Sequence, residues 1–74
     1  MACWINVDLP TNTATYHAAP IPCVGPPEVT PFKGVQEMKR DGGWRLFETE
    51  RAAGEWLSRE YADRLVVVKC DQCY

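Results

Sequence analysis

Apolar and polar residues alternate from position 3 to position 9. Ile5, Val7 and Leu9 fall on one side of an extended chain, and Trp4, Asn6 and Asp8 on the other. That is the period of a strand with one apolar face and one mixed face. Pro10-Thr11-Asn12-Thr13 is rich in turn formers, and Ala14-Thr15-Tyr16-His17 resumes strand character. The stretch predicts a hairpin closed by a four-residue turn. Further along, the period changes. Ala53, Trp56, Leu57 and Tyr61 recur at helical spacing and form one apolar stripe, predicting a helix over 50–62. Thr49 stands where an N-cap belongs, and Glu50 suits the positive end of the helix dipole. Arg51 and Glu55, Glu55 and Arg59, and Glu60 and Arg64 are opposite charges four positions apart on the wet side. Leu65-Val66-Val67-Val68 is short and β-branched, the signature of a buried strand, and it leads directly into Lys69-Cys70-Asp71-Gln72-Cys73-Tyr74.

The middle of the chain is less regular. Positions 18–34 hold five of the six prolines, namely Pro20, Pro22, Pro26, Pro27 and Pro31. Proline lacks the backbone N–H and fixes φ, which excludes an ordinary helix or central strand. Ile21, Val24 and Phe32 give this segment apolar anchors, so it reads as a stiff surface loop. Gly34 to Arg40 could form a turn or two of helix with Val35 and Met38 inward, stopped by Asp41-Gly42-Gly43. Trp44 to Phe47 reads as a short strand with Trp44 and Leu46 on one side. The expected order is β-β-loop-(short α)-β-α-β. This is an α+β domain over residues 1–74, with a small sheet packed against one main helix.

Length then adds a constraint. A chain of 74 residues has a small core, and domains of this size usually add disulfides, a metal or a partner subunit. Its four cysteines point to one of the first two. A formal net charge of -2 argues against a dedicated duplex-DNA binder, since phosphate binding calls for a basic surface. No run approaches the ~18 apolar residues of a membrane span. The opening MACWINVDLP has no basic region followed by an apolar core, so no secretory signal is read and a cytoplasmic location is expected. Thiols stay reduced there, and clustered cysteines read as metal ligands or redox groups before disulfides.

Cys70-x-x-Cys73 has the spacing with which two thiolates bind one ion. In thioredoxin-type redox sites such a pair opens a helix whose N-terminus lowers the thiol pKa. Here the pair follows a strand, and only Tyr74 remains after it. The other half of a tetrahedral site must come from Cys3, His17 and Cys23. His17 is the one histidine, and it stands with Cys23 at the two ends of a short proline-containing excursion. The expected ligands of one structural zinc ion are His17, Cys23, Cys70 and Cys73. The rival set replaces His17 with Cys3, which otherwise reads as a small buried hydrophobe. Free thiols, or two disulfides in an exported protein, are the further alternatives. Four protein ligands close the coordination sphere, whereas catalytic zinc keeps a position for water. No nucleophile–His–acid set and no glycine-rich phosphate loop is present. The expectation is therefore a non-enzymatic domain without a small-molecule substrate or membrane partner.

The His17-x5-Cys23 pair, Gly42-Gly43-Trp44-Arg45-Leu46-Phe47-Glu48-Thr49 leading to Ala52, Ala53 and Trp56, and the final Cys70-x2-Cys73 resemble small prokaryotic zinc-binding modules. Similar modules are appended to some nucleases and to the N-terminal region of the adaptive-response DNA methylation-repair protein. The resemblance implies zinc at the same four positions. It carries neither activity over, because no nuclease domain is attached and the methylation-repair module uses four cysteines. The resulting reading is an interaction module for protein or nucleic acid. Lys33, Lys39, Arg40 and Arg45 with Phe32 and Trp44 form a possible contact surface. Zinc sensing or storage is the second reading, and a thiol-based redox or methyl-acceptor protein the third.

Overall fold

The structure, a computed structural model, describes residues 2–19, 30–62 and 64–70. Within them the chain forms β1 (Cys3–Asp8), β2 (Thr13–Ala18), β3 (Gly34–Val35), β4 (Gly42–Phe47), α1 (Glu50–Tyr61) and β5 (Val66–Lys69). One five-stranded sheet takes the order β3-β4-β1-β2-β5. β1 pairs antiparallel with both β2 and β4, while β5 runs parallel to β2 and β3 parallel to β4. The α+β expectation is met, with one helix on one face of the sheet.

The alternation in β1 does what its period implies. Ile5 and Val7 point to the helix face and are fully buried with Cys3. They join Ala14, Tyr16, Ala53, Trp56, Leu57 and Leu65 in one core. α1 lies across β1 and β4. Its N-cap is Thr49, whose hydroxyl accepts the Ala52 N–H at 3.0 Å. The helix ends at Ala62, which takes a left-handed conformation (φ 48°) and donates its N–H to the Ser58 carbonyl. Of the charge pairs expected along it, Arg51 and Glu55 meet at 3.2 Å. Arg64 Nε donates to the Tyr61 carbonyl at 2.9 Å.

Three expectations are corrected. Residues 34–40 do not form a short helix. Gly34 and Val35 pair with β4 as a strand, and Gln36 takes a left-handed conformation (φ 61°) that ends it. β4 begins earlier than Trp44, because Gly42 enters the sheet instead of stopping a helix. At Gly42 φ is 107°, and a Cβ there would come 2.1 Å from the Val7 carbonyl oxygen. The position therefore requires glycine. Finally, Val66, Val67 and Val68 form an exposed edge strand and not a buried one. α1 covers β1 and β4 and stops short of this end of the sheet. There a cavity of about 180 Å³ opens between helix and sheet, lined by Tyr16, Leu57, Tyr61, Leu65 and Val67 among others. The proline-rich loop falls mostly on residues 20–29, outside the described residues.

Candidate metal centre

The strand registers fix which residues share the face away from α1. Side chains alternate along each strand, so Trp4, Asn6 and Asp8 of β1 stand opposite the helix. Trp4 pairs with His17 on one side and Leu46 on the other, and Asn6 with Thr15 and Trp44. β5 continues the pattern, with Val66 beside Thr13 and Val68 beside Thr15. The Cys70 N–H donates to the Tyr16 carbonyl at 2.9 Å. In a parallel ladder that bond sets Cys70 directly alongside His17. One row across the sheet therefore reads Leu46, Trp4, His17, Cys70.

The centre of this face is buried, while its flanks at Leu46, Val66 and Val68 are exposed. His17 is only 5% exposed and Trp4 is buried. The His17 ring packs against Trp44, with centroids 5.1 Å apart at 42°. Asn6 stands next in line to Trp4 on the same face. Its Oδ1 is buried and has no hydrogen-bond partner among the described residues. A buried acceptor left in that state is costly, so its surroundings should hold a donor.

Cys3 lies on the other side of the sheet. It pairs with Ala18 and Phe47, sits wholly in the helix-face core, and directs its Sγ at the Thr49 carbonyl 3.9 Å away. Strand alternation thus separates Cys3 from the row that holds His17 and Cys70. Of the four expected ligands, His17 and Cys70 are brought together. Cys23 and Cys73 lie outside the described residues, and among the described residues no three His, Cys, Asp or Glu side chains form a group that could hold an ion.

Burial pushes the Cys3 thiol above its ordinary 9.0, with the Glu50 carboxylate adding to the rise and the N-terminal amine opposing it. Tyr16 is raised above its ordinary 10.0 first by burial, then by the neighbouring Cys3 and then by Glu50; Tyr61 is raised by burial and then by Glu60, with Arg64 opposing. In each case the fold favours the protonated form. Their stabilisation is complete below the unfolded-state pKa and is lost as pH rises through the raised folded value. Denaturant midpoints should therefore fall above pH 9, and Cys3→Ala should remove the first part of that fall. A midpoint that is flat from pH 8 to 10.5 would contradict this. The same burial makes Cys3 slow toward alkylating reagents.

The possible cationic surface is divided by the fold. Arg45 turns to the helix face, its guanidinium 5.2 Å from the Trp56 ring and 5.4 Å from Phe47. Trp44 turns the other way, onto His17. Arg40 lies 4.2 Å over Phe32 and pairs with Asp41, while Lys39 reaches the Thr30 carbonyl and Glu37. The cations therefore do not line one aromatic platform. No protein family, curated protein or solved structure matches this chain at a significant level.

The sequence anticipates His17 and the Cys70 pair. It does not anticipate Asn6 or Trp44 as their neighbours, because that requires the β1–β4 register. The one available signal was polar Asn6 between two apolar core positions.

Proposed function

We propose that the chain is a non-enzymatic zinc-stabilised domain, with His17, Cys23, Cys70 and Cys73 as ligands, and that it works by binding another macromolecule. The observation that carries this reading is the placement of Cys70 alongside His17 on one face, with Cys3 on the opposite face. A ligating imidazole and a ligating thiolate need such proximity. The residues around them suit the role. A ligating histidine commonly donates its second ring N–H to a fixed acceptor, and the buried Asn6 Oδ1 is an acceptor on that face. Trp44 against the ring restricts its rotation. Four protein ligands would leave no open position for water, which favours a structural over a catalytic ion. Protein is favoured over nucleic acid as the partner, because the net charge is -2 and Lys39, Arg40 and Arg45 are each engaged within the chain.

Metal analysis of reduced protein purified without chelator is expected to give about one zinc per chain. His17→Ala should release it, and Cys3→Ala should retain it. Cobalt substitution should show thiolate charge-transfer bands that survive Cys3→Ala and are lost with Cys70→Ala. Retention of metal by His17→Ala together with loss in Cys3→Ala would transfer the site to the four-cysteine set. Metal-free protein with paired cysteines would refute the reading.

A further inference from the structure

We propose that β5 is a self-association edge, through which two copies of this chain pair antiparallel about a two-fold axis at Val67. Among the described residues β5 has a neighbouring strand on one side only. The N–H groups of Val66 and Cys70 point inward, to the carbonyls of Asn12 and Tyr16. Successive residues of a strand present their N–H and C=O to opposite sides, so Val67 directs both of its groups to the open side. An edge of this kind takes one class of ligand, another extended backbone.

At its first three residues β5 lacks the devices that usually block such pairing. Val66, Val67 and Val68 carry no charge, proline or bulge, and they are 63%, 52% and 43% exposed. The opposite edge of the sheet is treated differently. β3 has two residues and is cut off by the left-handed Gln36. Among the described residues, one edge is blunted and the other is open.

Self-complementarity selects the occupant. With the axis at Val67, the two Val67 residues exchange both backbone hydrogen bonds. Val66 of one copy faces Val68 of the other on the His17 side of the sheet, so each exposed valine meets a valine. Charge selects the antiparallel direction. Lys69, the one cation of the strand, is held by Glu50 of its own chain at 3.1 Å. Antiparallel pairing puts the two Lys69 at opposite ends of the ladder, whereas parallel pairing in register would stack them. On the helix face, Val67 of the second copy stands at the open side of the cavity between α1 and β5. The contact is one strand wide, below the ~1,000 Å² of a stable interface, so an association constant corresponding to a Kd of about 100 μM is expected.

Sedimentation equilibrium of the reduced chain as purified, from micromolar to millimolar concentration, tests this. The expected result is a monomer–dimer equilibrium. Val67→Pro removes the outward N–H and, among the described residues, no hydrogen bond, so it should weaken association at least tenfold with the helical circular dichroism unchanged. If that variant does not fold, Val66→Lys decides, since its lysine would face Val68 of the second copy and weaken the dimer to a similar degree. The double variant Val66→Lys/Val68→Glu should restore association, because lysine then faces glutamate twice across the axis. A chain that stays monomeric to millimolar concentration overturns the proposal. So does a dimer that neither Val67→Pro nor Val66→Lys weakens.

Discussion

Removing the proposed zinc with a strong chelator, under reducing conditions, is expected to unfold the described sheet and α1 together. The reason lies in how the outer strand is held among the described residues. All four residues of β5 are exposed, and Leu65 is the buried residue that leads into it. The strand is held by its ladder to β2 and by the half-exposed Lys69–Glu50 pair, and such pairs contribute about 0–1 kcal/mol. Structural zinc in small domains contributes an apparent ~10–16 kcal/mol, against roughly 3–5 kcal/mol from a core of this size. Zinc must displace protons from thiols, so acid below about pH 5 should act as the chelator does. Amide NMR spectra with and without chelator provide the measurement. Loss of dispersed signals throughout supports the account. Survival of the β1–β2 hairpin and α1 would make the ion an accessory to a fold that stands without it.

The second large effect is expected on the helix face. Trp56 is 4% exposed. It packs against Phe47 at 5.4 Å, meets Tyr61 edge-on at 5.7 Å, and lies under the Arg45 guanidinium at 5.2 Å. Trp56→Ala should cost about 3–5 kcal/mol. At about 4–8 °C per kcal/mol for a domain of this length, the protein as purified should lose about 12 °C or more in Tm. The metal-free chain should not fold at all. Trp44→Ala offers the contrast. Trp44 is half-buried on the opposite face, so its loss should cost less stability and more metal affinity. A Tm for Trp56→Ala within a few degrees of the parent would mean that the helix stripe does not anchor the core.

What the sequence made legible follows from local physics. The period-two run of Ile5 and Val7, the turn formers after Leu9, and the Thr49 cap with its helical stripe each carry their own signal. Those elements fall within a residue or two of their expected bounds. The misreadings share a cause, which is that strand partners decide them. Val66 to Val68 are as apolar as a central strand, yet their place at the sheet edge leaves them exposed. Gly34 and Val35 have a neighbour in β4 that no local pattern announces. Trp4 falls on the mixed face of the first strand, and only the register shows that it is buried beside His17. At the candidate site, the Cys70-x-x-Cys73 spacing and the single histidine pointed to His17, Cys23, Cys70 and Cys73, of which His17 and Cys70 fall among the described residues. The separation of Cys3 from them needed the register, since a shift of one position would exchange the two faces.

The parallel pairing of β5 with β2 also has a kinetic consequence. It joins Thr13 to Val66, 66 − 13 = 53 positions apart in the chain. The β1–β2 hairpin, by contrast, closes over the short turn between Asp8 and Thr13. Closing a loop of that larger size costs about 3.5 kcal/mol in chain entropy beyond a constant term. Contacts of such separation form late. The hairpin, β4 and α1 should therefore assemble first, and the docking of β5 should complete the fold after the main barrier. Cys70 reaches His17 only with that docking. The proposed zinc, held between them, would stabilise contacts that are absent from the transition state, so its effect should fall on the unfolding rate and leave the folding rate nearly unchanged.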